Sequence, residues 1–235
     1  MRLALLALCL ALAGACDGLP GRPRRADRPI RPSDVTDFAT LYGANCAGCH
    51  GDERRPGAAV ALADPVYMAL VDDATLRRVI ATGVPDTAMP GFAQSAGGAL
   101  TDAQLDALVR GMRTLWARAN ALAGATPPSW AAAPGDPGGG RRAYAARCAS
   151  CHGTDGTGGN RGGSVVDGSY LALVSNQGLR TTVLVGRPTR GMPDWRGAKA
   201  GAPMTAQEIA DVVAWLVAQR PALPGQPYPS EGSGG

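Results

Sequence analysis

The sequence predicts an all-α protein in which one small helical unit is written twice. YGANCAGCHGD at 42–52 returns as YAARCASCHGT at 144–154, and DPVYMALV at 64–71 returns as DGSYLALV at 167–174. The register between the copies slips only from 102 to 104 residues along the unit, so two single-residue insertions align them. Apolar residues recur at helical spacing, and nothing alternates with period two for long.

In chain order, MRLALLALCLALAGAC places Arg2 ahead of an apolar run ending near Ala13. A bilayer span takes ~20 residues, so the shorter run reads as a secretory signal over 1–15. Cleavage after Ala15 would leave Cys16 at the N-terminus, which resembles a bacterial lipoprotein signal and implies a lipid anchor there. Ordinary cleavage with Cys16 as a free thiol is the other reading. Residues 16–33 hold four prolines and five arginines with almost nothing apolar, and form an extended tether. A first domain then spans 34–118, a Pro/Gly/Ala-rich linker 119–136, a second domain 137–220 and a disordered tail 221–235. Trp130 is the one large residue able to pin the linker to a domain.

Within each domain the helices follow from pattern. Phe38, Leu41 and Tyr42 stand at i, i+3 and i+4 ahead of the first Cys-x-x-Cys. A shorter helix covers Leu76 to Ile80, and its copy Leu179 to Val185. The last helix of each unit opens on a capping box, Thr101-x-x-Gln104 and Thr205-x-x-Glu208, before an apolar run at helical spacing.

The chemistry lies in CAGCH (46–50) and CASCH (148–152). These use both histidines of the chain, and four of its six cysteines. A thioredoxin-like redox pair would need a βαβ context that neither site has. A zinc knuckle could draw Cys and His from the two copies. The third reading is covalent haem attachment, for which C-x-x-C-H is the recognised pattern. Cys46 and Cys49, and Cys148 and Cys151, would each bond the vinyl groups of one haem c, while His50 and His152 would reach the irons. Two haem c are therefore expected.

With no third histidine, a sixth ligand has to be Met, Lys, Tyr or an open position. Met68 aligns with Leu171, Met112 with Leu216 and Met204 with Leu100, which marks these three as interchangeable core residues. Met89 and Met192 align with each other, and each precedes a proline that fixes the turn after it. They are the expected axial ligands. Phe92 and Trp195, three residues on in each copy, are expected to pack on the haem edge. Arg187, Arg190 and Arg196 are candidates for the haem propionates, with plain solvent exposure as the alternative. GTDGTGGNRGG (153–163) lacks the P-loop pattern and reads as a loop wrapped round the haem.

CAGCH with MPGF, and CASCH with MPDW, resemble the class I c-type cytochromes in a dihaem tandem form, over 34–118 and 137–220. YLALVSNQGLRTTVLVGRPTRGMPDW is similar to dihaem cytochromes that accompany membrane quinol-oxidising complexes. The resemblance implies a periplasmic electron carrier that takes electrons from a membrane complex or dehydrogenase and passes them to a terminal oxidase or another cytochrome. A peroxidase-like dihaem enzyme, or a gas sensor, would need one displaceable methionine. Net charge is +4 and Lys199 is the only lysine, so neither nucleic-acid binding nor a lysine docking ring is expected. The family also crosses its first and last helices through a large residue against a small one. Here bulk has changed sides: Phe38 would face Gly111, and Gly140 would face Trp215.

Overall fold

The computed structural model describes residues 27–197 and 203–222. The signal segment, Cys16, the start of the tether, Lys199 and the tail beyond 222 lie outside the described residues. The chain divides into two compact units, Met1–Val35 and Thr36–Gly235. In the first, Arg31 pairs with Asp34 at 3.0 Å across a single 3-10 turn, Pro32–Asp34.

The second unit holds the repeat. The described residues form ten α-helices and no β-strand, and the order of the first five is repeated by the second five. The first half runs α1 Phe38–Asn45, α2 Ala47–His50, α3 Pro65–Leu70, α4 Asp73–Thr82 and α5 Asp102–Trp116. The second runs α6 Pro137–Arg147, α7 Ala149–His152, α8 Gly168–Leu173, α9 Asn176–Val185 and α10 Ala206–Val217. The all-α expectation holds. Helices α3 and α8 were not read from the sequence, although Asp64 and Asp167 cap them and Pro65 opens α3 at its first position.

Local chemistry starts nearly every helix. Asp37, Asp72, Asp136 and Ser175 each accept a backbone N–H from the first turn of α1, α4, α6 and α9. Both expected capping boxes form. Thr101 N donates to Gln104 Oε1 at 3.0 Å, and Thr205 N donates to Glu208 Oε2 at 2.8 Å, each answered by the reciprocal bond. Helices α2 and α7 lack such caps because they continue α1 and α6 through a one-residue break at Cys46 and Cys148.

The first and last helices of each half cross as the repeat predicts, with one difference. A Cβ on Gly111 would stand 2.1 Å from Phe38 Cδ2, so the Phe38 ring fills the space over α5. A Cβ on Gly140 would stand 2.0 Å from the Asp211 carbonyl oxygen and 2.6 Å from Trp215 Cβ. The second crossing is thus closer, with the backbone of α10 itself against the glycine. In the first half Phe38, Tyr42 and Trp116 form an aromatic cluster with centroids 4.9–5.5 Å apart. In the second, Tyr144 and Trp215 meet at 4.4 Å.

Arginines from the last helix, or just beyond it, clasp each short helix. Arg113 donates to the carbonyls of Met68 and Val71. Arg220 donates to the repeat-equivalent carbonyls of Leu171 (3.1 Å) and Val174 (2.6 Å). Elsewhere the copies have parted. Arg77 pairs with Asp102 and Asp106, each at 2.7 Å. For its counterpart Arg180, the repeat puts alanines at those positions (206 and 210); it is 2% exposed and turns to the Ser129 carbonyl. Its Nη1 has no hydrogen-bond partner among the described residues.

The linker is pinned to both halves rather than one. The Trp130 ring meets Tyr67 of the first half edge-on at 5.7 Å, while the Trp130 carbonyl accepts from Gln177 of the second at 2.8 Å.

Candidate functional site

Each site is built on the break between the first two helices of a half. The helix turns out of register at the first cysteine of the motif, Cys46 (φ −122°) or Cys148 (φ −119°), and resumes for one turn that ends on the histidine. A tyrosine four residues before that cysteine ties the turn down. Tyr42 Oη donates to the Gly51 carbonyl, and Tyr144 Oη to the Gly153 carbonyl, each at 2.7 Å. Burial, followed by the neighbouring Cys148 and Asp155, pushes the Tyr144 hydroxyl up to about 12, so it stays a donor. These tyrosines had a visible signal, their identical place in both copies.

The histidines are oriented by backbone carbonyls. His50 Nδ1 lies 2.7 Å from Val60 O, and His152 Nδ1 lies 2.8 Å from Gly163 O. A carbonyl only accepts, so Nδ1 carries the proton and Nε2 keeps its lone pair. Burial pulls the His50 pKa down, against the opposing pull of the Val60 bond. The ring is thus held neutral, the form that binds metal. No side-chain pattern marks Val60 or Gly163, since each acts through its backbone. The loop 153–163 wraps its histidine closely, and a Cβ on Gly162 would stand 2.7 Å from His152 Nδ1.

None of the four motif cysteines is paired in a disulfide. Cys46 is buried and Cys49 exposed. Burial first, and the second thiol of the pair next, push Cys46 and Cys148 up to about 11. Among the described residues no group of three or more His, Cys, Asp or Glu is arranged to hold a metal ion, so the zinc alternative finds no donor set.

The aligned methionines lie on matching hairpins. Val84 N donates to Met89 O at 3.0 Å, and Arg187 N to Met192 O at 2.9 Å. Gly83 (φ +72°) and Gly186 (φ +70°) end α4 and α9 in the left-handed region, and a Cβ there would press on Met89 O or Pro193 O. Both methionines are half-buried. Met68, Met112 and Met204 are core residues, exposed by 2%, 0% and 8%. Phe92 is half-buried, with its N–H on Ile80 O at 3.0 Å. Trp195 is 2% exposed, and the Arg196 guanidinium stands 5.0 Å over its ring.

The structure gives the three candidate propionate arginines other partners. Arg196 pairs with Asp194, while Arg187 and Arg190 reach backbone carbonyls of the first half at 56–59. Each guanidinium finds acceptors in the fold itself.

Paired cysteines beside an imidazole whose Nδ1 is taken by a backbone carbonyl, leaving Nε2 for a metal, fit a c-type haem at both places. Two five-helix halves carrying that donor set define a c-type cytochrome with tandem domains, an electron-transfer protein with covalently bound haem c. The family model of cytochrome c oxidase, cbb3-type, subunit III matches residues 33–110 and again 135–216, and the chain belongs to that family. No curated protein matches significantly. Among solved structures, the chain is similar to one from the Kuenenia stuttgartiensis reducing HAO-like protein complex Kustc0457/Kustc0458. The two are 17% identical, covering 82% of this chain and 100% of that one, with a TM-score of 0.43. A likeness at that level carries no functional argument.

Proposed function

We propose that the protein is a periplasmic, membrane-associated dihaem cytochrome. It would carry electrons from a membrane quinol-oxidising complex or dehydrogenase to a terminal oxidase or another cytochrome. The observation that carries this reading is the same device built twice: tyrosine on the turn, carbonyl on the histidine Nδ1, methionine on a hairpin closed by a left-handed glycine. The family's name makes a cbb3-type oxidase the first candidate for the acceptor.

In this reading Cys46, Cys49 and His50 would hold one haem c together with Met89. Cys148, Cys151 and His152 would hold the other with Met192. Haem c supplies reversible one-electron iron chemistry when bound. The chain's part would be to hold His50, Met89, His152 and Met192 in fixed places, so that ligation need not change between redox states. The Val60 and Gly163 carbonyls hold the imidazoles in one tautomer, and the soft thioethers favour the reduced state. Phe92 and Trp195 are the residues that would pack against the haem edges. No helix of the described residues is long and apolar enough to cross a membrane. Attachment is assigned to a lipid on Cys16.

The test is haem content and ligation of the exported protein. Two covalent haems per chain are expected, with no carbon monoxide binding to the reduced protein. Met89→Ala and Met192→Ala should each open one iron to the gas, whereas Met204→Leu should open neither. A single haem, or a wild-type protein that binds carbon monoxide at both irons, would sink the reading. Oxidation of the reduced protein by a cbb3-type oxidase tests the partner.

A further inference from the structure

The two halves meet at the histidine loop of the first. Arg187 opens the Met192 hairpin of the second half, and its Nη2 donates to the carbonyls of Ala58 and Ala59, the latter at 3.3 Å. Arg190 Nη2 donates to Pro56 O at 3.2 Å. The same short segment carries Val60, whose carbonyl accepts the His50 Nδ1 proton at 2.7 Å. It is tied to the Cys-x-x-Cys turn by Ala59 N on Cys49 O at 3.0 Å. The Arg187 guanidinium is therefore anchored one and two residues from the atom that orients His50.

The repeat shows that the hairpin itself does not need these arginines. Their counterparts are Val84 and Thr87, and the first hairpin closes by the same backbone bond, Val84 N to Met89 O at 3.0 Å. The two histidine loops also differ in what holds them. Loop 153–163 is secured from within the second half, by Gly159 N on Gly162 O (2.8 Å) and Val165 N on Gly156 O (2.8 Å). The shorter first loop takes its extra anchors from the other half of the molecule.

We infer that Arg187, seconded by Arg190, is a positioning residue through which the second half fixes the first half's His50. This rests on the reading of His50 as a haem ligand. The histidine loop of one site and the methionine hairpin of the other share one guanidinium, so a displacement of either is felt by its neighbour. Charge-assisted bonds to carbonyls suit that duty, because they are directional and stronger than neutral ones.

The chain has two histidines, so the reduced dihaem protein labelled with 15N-histidine should show two imidazole Nδ1–H signals. In Arg187→Val/Arg190→Thr, which installs the first-half residues, the His50 proton should exchange with solvent about tenfold or more faster. That is the scale of losing one such bond in a local opening. The His152 proton should be unaffected, and only one of the two redox midpoints should move. Arg187→Lys, which keeps the charge, should recover part of the protection. Unchanged exchange at His50, or an equal rise at both histidines, would overturn the inference. Should the double variant not accumulate, Arg187→Gln alone is measured in the same way. A protein without a haem bonded to Cys46 and Cys49 would instead overturn His50 as a ligand, while exchange still decides Arg187 through the Val60 bond.

Discussion

Gly111→Ala and Gly140→Ala place the same methyl group at equivalent crossings, and the structure predicts unequal outcomes. Inside a helix, alanine is favoured over glycine by about 1 kcal/mol, which helps both variants. Overpacking then opposes it by roughly 1–3 kcal/mol, depending on what must move. At Gly111 the obstacle is the Phe38 side chain, with Cδ2 at 2.1 Å and Cγ at 2.3 Å. That ring is half-buried and can swing, so overpacking falls at the low end and the net change is about 0–1 kcal/mol. At Gly140 the obstacles are Asp211 O at 2.0 Å and Asp211 C at 2.6 Å, main-chain atoms that move only if α6 and α10 separate. Overpacking there falls at the high end, and the net loss is about 2 kcal/mol. Denaturant midpoints of the haem-loaded protein measure both, with the slope checked for constancy. Pairing Gly111→Ala with Phe38→Ala should show a coupling of about 1 kcal/mol. Pairing Gly140→Ala with Trp215→Ala should show less than about 0.5 kcal/mol. Equal losses at the two glycines, or full rescue of Gly140→Ala by Trp215→Ala, would refute the distinction between side chain and backbone.

Further outcomes follow from the same contacts. Tyr42→Phe leaves the Gly51 carbonyl without its donor in a buried place and should cost about 1–2 kcal/mol. Its thermal midpoint should fall more than that of Tyr144→Phe, whose bond is only part-buried. Arg113→Ala and Arg220→Ala should each lose about 2 kcal/mol, since two carbonyls lose a charged donor in either case. Glu208 accepts from Thr205 N and from Arg147, and these bonds hold its carboxyl below the ordinary 4.5. Its stabilisation is therefore full above pH 4.5 and fades as pH falls through the lower folded value. Glu208→Gln should cost about 0.5 kcal/mol at pH 7, discounted for exposure, and progressively less as pH falls through the folded value.

Reading the sequence succeeded where one copy could be checked against the other. Both capping boxes, the α4 and α9 pair and the core methionines were legible because a second example stood about a hundred residues away. The Phe38/Gly111 and Gly140/Trp215 exchange was legible for the opposite reason: a mismatch in one element was answered by a mismatch in its partner. What escaped lies between distant residues that the repeat does not share. Gln177 and Arg180 hold the linker through its carbonyls, and Arg187 reaches across to the first half. Nothing in a string of letters marks Val60 as the acceptor for His50, because the work is done by its main chain. Helices α3 and α8 escaped because six residues are too few to display a period.

The crossed glycines also bear on how such a chain avoids tangling with itself. Two copies of one fold on a single polypeptide present every helix with two partners, at effective concentrations on the order of mM. If α1 docked on α10, Phe38 would collide with Trp215. If α6 docked on α5, Gly140 would face Gly111 across a void, and neither glycine could supply the missing contact. Each wrong pairing is penalised by the same substitutions that make the right pairing fit, one by overlap and the other by emptiness. A duplicated domain is most exposed to swapped assembly when its halves are still alike. The exchange of bulk between first and last helices makes each half a poor template for the other, and a recombinant that joined α1–α4 to α10 would inherit the collision.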